Sequence, residues 1–254
     1  MPLRPADIAV ADLAWLPCHR LVASRFPTVG LYDGIAQPQD LDVVFAIEAL
    51  TNPRLRQEWG ALSLVPVADR VVGPGASLIM AAFTHLNPEG SRFSDGSYGV
   101  YYGADTLEAA IAEVSHHRAR FLARTAEPPI DVDLRWLKAD LRAQVHDIRA
   151  DSGASANASA NAEGTTQGLA DVYHPDHYAA GQALGRSLRE AGSAALVFDS
   201  ARHPRGHCAA VFAPRVLTGA RAAGHLSLRW DGRSISHWFE KRAPHSLARP
   251  AGAA

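Results

Sequence analysis

The stretch Ser91-Arg92-Phe93-Ser94-Asp95-Gly96-Ser97-Tyr98-Gly99-Val100-Tyr101-Tyr102-Gly103, running on into a helix that carries Glu113, constrains this chain most. Its glycines relieve tight turns, because a residue without Cβ reaches backbone conformations closed to others. Tyr98 to Tyr102 is rich in aromatic side chains and reads as a strand. Asp105-Thr106-Leu107-Glu108 has the spacing of a capping box, with Asp105 as N-cap. Leu107, Ala110, Ile111, Val114, Phe121 and Leu122 then form one apolar stripe, which predicts a helix to about Ala123. The same short unit holds site chemistry: an arginine fork suited to anions, tyrosines with an apolar face and a polar tip, and a carboxylate.

Around this unit the pattern alternates between helix and strand. Residues 1–19 read as an N-terminal extension whose Leu13, Trp15 and Leu16 pack onto the body, and Arg20 to Gly30 as an irregular entry. Asp40 to Leu50 has helical spacing, and Asn52-Pro53 breaks it before a second short helix through Trp59. Gly73-Pro74-Gly75 is a loop, and Ala76 to Thr84 reads as a short buried strand. Ile130, Val132, Leu134 and Trp136 alternate with polar residues, as in a half-buried strand. Residues 150–168 lack large apolar side chains and cannot offset their ordering entropy, so they read as a flexible insertion. Pro175 to Ala191 is a helix ended by Gly192. Ala194 to Phe198 is a buried strand that delivers Asp199-Ser200, and Cys208 to Ala213 is the next. His225 to Trp230 and Arg233 to Trp238 form a hairpin on an Asp231-Gly232 turn. The tail, 241–254, is expected to be disordered.

Composition narrows the class. The 254 residues carry 25 basic and 26 acidic side chains, a net charge of -1, with no basic footprint for direct nucleic-acid binding. No run approaches a membrane span and the N-terminus is not a convincing signal peptide, so the expected location is the cytoplasm. Cys18 and Cys208 are too few and too far apart for a disulfide framework, and small core residues are the ordinary reading. His203, His207, Cys208, His174 and His177 have zinc-ligand chemistry, but Pro204 and Gly206 make the first group a loop, so no metal is expected.

Each candidate has an ordinary counterpart. Glu113 lies off the apolar stripe, where a helix glutamate is usually solvated; yet Ala109, Ala110 and Ala112 leave room beside it, and His117 shares its flank. Arg92 could equally be a surface arginine. Tyr101 and Tyr102 must point to opposite faces of a strand, and the sequence leaves open which faces a cleft. Ser200 stands at a strand end but lacks a G-x-S-x-G elbow, so a serine hydrolase is a weak alternative.

The ordered set Ser24-Arg25-Phe26-Pro27, Ser91-Arg92-Phe93-Ser94-Asp95-Gly96, Gly99-Val100-Tyr101-Tyr102, Ala110-Ile111-Ala112-Glu113 and Val197-Phe198-Asp199-Ser200 resembles the RES-domain family, the toxin half of Xre–RES toxin–antitoxin systems. The resemblance covers about residues 20–240. It implies an α+β fold like that of the ADP-ribosyltransferase toxins, a split, twisted β-sheet with flanking helices and an NAD cleft. It implies cleavage of the nicotinamide–ribose bond of NAD as substrate, with inorganic phosphate as co-substrate in phosphorolysis. Carried over by residue, Glu113 would stabilise the positive ribose or grip its hydroxyls, Arg25 and Arg92 would clamp the pyrophosphate, Tyr102 would lie by the nicotinamide ribose, and Ser200 would fix the ligand. All five are thus expected to bind NAD and take part in catalysis. The implied partner is an Xre-type helix-turn-helix antitoxin in a separate chain; a homo-oligomer is left open. Transfer of ADP-ribose to a protein acceptor, or a catalytically silent binding module, are the alternatives.

Overall fold

The computed structural model describes residues 3–23, 30–34, 37–51, 60–150 and 162–242. Its strands are β1 (Ala9–Ala23), β2 (Tyr101–Ala104), β3 (Ile130–Asp147), β4 (Ala195–Asp199), β5 (His207–Val211), β6 (Leu217–Trp230) and β7 (Ile235–Lys241). The α-helices are α1 (Leu41–Thr51), α2 (Ala76–Thr84), α3 (Leu107–Thr125), α4 (Ala162–Val172) and α5 (Ala179–Glu190). Arg25, the Asn52-Pro53 break, most of the expected insertion and the tail beyond Arg242 lie outside the described residues.

The strands follow the order β1-β2-β5-β4-β3-β6-β7. Strand β1 also pairs antiparallel with β3, from Ala9 opposite Asp147 to Ala23 opposite Leu134. Strands β1, β2, β5, β4 and β3 therefore close on themselves, while β6 and β7 extend outward from β3. The stretch expected as an extension is thus a strand of the sheet. The pairing of β3 with β4 is parallel and confined to His146–Leu196 and Asp147–Val197; the others are antiparallel. The result is an α+β architecture with a twisted, mixed sheet and flanking helices.

Three apolar clusters explain the sequence patterns. Ile79, Met80 and Phe83 of α2 pack with Tyr101, Leu141, Val145, Val197, Val211 and Leu217. Leu184 and Leu188 of α5 pack with Phe93, Tyr98, Leu196, Phe198 and Phe212. Ile111 of α3 packs with Leu134, Leu226 and Leu228. Strand β4 divides between the first two, Ala195 and Val197 against Leu196 and Phe198. Being covered on both faces, it reads as a continuous apolar run without alternation.

Several sequence expectations need correction. Ala76–Thr84 is a helix, not a strand. A short apolar run fits either period, and tertiary contacts decide it: Gly75 turns the chain at φ 84, and Asp33 Oδ1 accepts from Ser77 N at 2.8 Å. The N-cap of α3 is Thr106, whose side chain accepts from Ala109 N; Asp105 is drawn off to His207 instead. Helix α4 begins inside the stretch read as flexible. Helix α5 starts at Ala179 rather than Pro175; 173–178 are irregular, with His174 Nδ1 accepting from Asp176 N and His177 N. The hairpin forms, but Asp231 N donates to Ser234 O at 3.1 Å, so its turn centres on Gly232 (φ 97) and Arg233, one residue later than expected.

Candidate active site

Glu113 sits on the second turn of α3, half-buried beside the loop that follows β4. Ser200 Oγ donates to Glu113 Oε1 at 2.6 Å. The same oxygen accepts from Arg202 N at 3.1 Å and His203 N at 3.0 Å. One donor and two acceptor positions exhaust what a hydroxyl offers. Ser200 is therefore a brace for the carboxylate rather than a free nucleophile. The loop is closed by Ser200 N on Gly206 O at 2.8 Å and Gly206 N on His203 O at 3.1 Å. It presses on α3, where a Cβ at Gly206 would come within 2.8 Å of Ala109 Cβ. The alanine-rich flank noted in the sequence thus admits this loop.

Both members of the pair are anchored by His207, whose residue type suggested a metal ligand in the sequence and whose contacts are instead to two carboxylates. His207 opens β5, directly opposite Asp199 in the ladder. Its Nδ1 lies 2.9 Å from Asp105 Oδ2 and its Nε2 3.6 Å from Asp199 Oδ1. Its N donates to Asp105 Oδ1 at 3.1 Å, and its O accepts from Asp105 N at 3.1 Å. Asp105 immediately precedes the cap of α3, and Asp199 immediately precedes Ser200. One imidazole between two carboxylates therefore fixes the helix carrying Glu113 against the strand carrying Ser200. Asp199 N also donates to Tyr173 Oη at 3.0 Å. The available signal was Asp199-Ser200 at a strand end and His207 at the start of the next strand.

Arg92 and Tyr102 form a second node. Tyr102 Oη accepts from Phe93 N at 3.0 Å and shares a hydrogen with Ser91 Oγ at 2.8 Å. Desolvation pushes its pKa up to about 12, so the phenol stays protonated. Tyr101 points to the opposite face, buried, with the Arg20 guanidinium 4.6 Å over its ring. Arg20 Nη1 also donates to Tyr102 O at 2.8 Å. This answers the question of facing: Tyr102 is on the side of Arg92, and its hydroxyl braces the 91–93 turn. Arg92 Nη1 donates to Val172 O and His174 O, each at 2.9 Å, and its guanidinium lies 4.8 Å over the Tyr178 ring. The 91–93 backbone lies directly on α5, where Cβ atoms at Gly181 and Gly185 would come 2.4 Å from Arg92 O and 2.2 Å from Phe93 O.

His117 lies one turn beyond Glu113 on α3. Desolvation lowers the pKa of His117, its neighbour His116 lowers it further, Glu113 opposes the shift, and Arg202 and Arg92 reinforce it. Desolvation lowers that of His116 as well. His203 Nδ1 and His116 Nε2 are buried without a hydrogen-bond partner among the described residues. Among those residues no group of three or more His, Cys, Asp or Glu side chains is placed to hold a metal. His174 Nδ1 instead accepts from Asp176 N and His177 N at 3.1 and 3.0 Å. Cys18 and Cys208 are buried free thiols, and burial pushes Cys18 up to about 12. No helix among the described residues is long and apolar enough to cross a membrane.

Fold and site together define an α+β protein with a carboxylate, Glu113, braced by Ser200, and two arginines, Arg92 and Arg202, on the 172–175 carbonyls. The chain belongs to the RES-domain family: the family's RES domain matches residues 67–231, a span that holds Arg92, Tyr102, Glu113 and Ser200. It is 31% identical over 232 residues to the uncharacterized protein y4oC of Sinorhizobium fredii (strain NBRC 101917 / NGR234), covering 91% of this chain and 88% of that protein. Among solved structures, a chain in the crystal structure of the M. tuberculosis MbcT–MbcA toxin–antitoxin complex is similar with a TM-score of 0.45 and 13% identity, over 85% of this chain and 87% of that one.

Proposed function

We propose that this protein degrades NAD by breaking the nicotinamide–ribose bond, with inorganic phosphate as the acceptor. The observation that carries the reading is the 2.6 Å hydrogen bond from Ser200 to Glu113, with the main chain of Arg202 on the same Ser200 hydroxyl. Nicotinamide leaves as a neutral base with the bonding pair, and positive charge develops on the ribose. A carboxylate held in place before the reaction lowers the energy of that charge without reorganising, and does so most effectively in a water-poor site. A phosphate oxygen then forms the new bond to the same ribose carbon, and the product is ADP-ribose carrying a phosphate there. Arginines suit the phosphate groups of substrate and acceptor. Arg25 belongs to this reading by family resemblance. A further part of it is a separate antitoxin chain, of Xre type, that holds the enzyme in check; the MbcT chain is described in a toxin–antitoxin complex.

The test is an NMR assay of the purified protein with NAD, with and without inorganic phosphate, beside Glu113→Gln. Loss of NAD only with phosphate, giving nicotinamide and phosphorylated ADP-ribose, supports the proposal. Loss without phosphate points to hydrolysis or, if label appears on protein, to ADP-ribosyl transfer. NAD that stays intact in both conditions moves the protein to the binding-module reading.

A further inference from the structure

Arg202 was not among the family positions, yet it is tied to the site from both ends. Its main-chain N rests on Ser200 Oγ, and its Nη2 donates to Pro175 O at 3.0 Å. Arg92 reaches the same segment from the other side, at Val172 O and His174 O. Two guanidinium groups thus hold three carbonyls of one short strap, 172–178. The strap continues from α4, with Tyr173 N on Leu169 O at 2.9 Å and His174 N on Asp171 O at 3.3 Å, and within it the His174 and His177 rings stand 4.4 Å apart. Arg120 adds a weaker tether to Asp176 at 3.5 Å.

The partners are mismatched in strength. A carbonyl is a neutral acceptor, whereas an oxyanion meets the guanidinium fork with opposite charge and with two oxygens in bidentate geometry. The two guanidinium groups hold the carbonyls of consecutive residues, Arg92 that of His174 and Arg202 that of Pro175, which brings them to the same stretch of main chain. We propose that Arg202 and Arg92 are the two arms of a phosphate-binding site, and that a phosphate group takes them by exchange with the carbonyls of 172–175, releasing the strap. Arg202 is then a ligand-positioning residue. The identity of the ligand rests on the proposed NAD reaction, because the phosphate can come from two sources, the pyrophosphate of the dinucleotide or the free acceptor. The exchange itself does not depend on turnover.

Hydrogen–deuterium exchange of peptides covering 172–178 tests this, at constant ionic strength set with chloride. Inorganic phosphate and ADP-ribose are titrated separately, with affinity read by calorimetry, on the wild type, Arg202→Gln and Arg202→Lys. The expected result is a saturable rise in strap exchange in the wild type. Arg202→Gln should exchange faster from the outset, bind roughly tenfold more weakly, and show little further rise. Arg202→Lys keeps the charge without the fork and should fall between. Release by phosphate alone assigns the acceptor, release by ADP-ribose alone assigns the pyrophosphate, and release by each assigns both. A strap that stays unchanged or slows at saturation, wild-type affinity in a folded Arg202→Gln, or no binding of either probe overturns the proposal. NAD turnover with a static strap would sink this inference and leave the reaction standing; a released strap without turnover would do the reverse.

Discussion

The inner and outer parts of the sheet are built on different principles. Strands β4 and β5 have only five residues each, yet eight of the ten positions are buried. Every side chain from Ala195 to Phe198 meets a core, and both strands begin or end at the site. Strand β7 has six of seven positions exposed, including Trp238 at 44% and Phe239 at 50%. It is held to β6 by the backbone ladder, and solvated pairs, Arg229 with Asp131 and Lys241 with Asp133, decorate that end of the sheet. The candidate site therefore lies where short strands are fixed from both faces, and position there is costly to disturb. The outer strands widen the sheet, and their exposed polar contacts contribute little.

Glu113→Gln should give the largest effect. The neutral amide cannot offset the developing ribose charge, so NAD turnover should fall by about 10²- to 10³-fold, while the melting temperature stays close to wild type. An NAD consumption assay beside a melt separates the two, and full turnover would remove Glu113 from the chemistry. In stability, Gly185→Ala comes next. Its Cβ would stand 2.2 Å from Phe93 O, main chain pinned by Tyr102, so urea unfolding should show a loss of about 1–3 kcal/mol. Asp105→Ala removes the acceptor for both the main-chain N and the ring of His207. A loss of about 1–3 kcal/mol is expected, with NAD turnover reduced as well, since α3 and Ser200 lose their common anchor.

A smaller, distributed effect comes from histidines. Desolvation lowers the pKa of His19, His116, His117 and His146. As pH falls through about 6.5, the unfolded chain takes up these protons first. It then binds more protons than the folded state, and stability falls with pH. This contribution is fully present above that value and is lost progressively towards the lower folded-state pKa values. Urea midpoints at pH 7.5 and 5.5 should show it, and His116→Asn should flatten the dependence. Arg229→Ala, in the outer sheet, should give the smallest change, about 0–1 kcal/mol. A larger loss there would break the contrast between the two regions.

Legibility in the sequence follows the same division. The α3 stripe, the buried run of β4 and the β6–β7 pairing could be read because each signal is local and periodic. Helix α2 was misread because a short apolar run fits either period, and an Asp33 contact far back in the chain selects the helix. Of the candidate residues named from the sequence, Glu113 and Ser200 meet, and Tyr102 lies on the side of the Arg92 turn. The engagement of Arg92 with the 172–178 strap was not legible. Arg25, lying outside the described residues, is placed by family resemblance alone.

By itself, then, the sequence determined which segments alternate, which residue types concentrate between Ser91 and Glu113, and which family they belong to. Composition, spacing and local propensity suffice for that. Only the tertiary structure decided that Asp105 leaves the helix cap for His207, that Ser200 spends its hydroxyl on Glu113 and its own loop, and that two arginines some hundred residues apart hold one strap. Each is a contact between segments distant in sequence. Such contacts depend on which strand ends the fold brings side by side, and no local pattern encodes that.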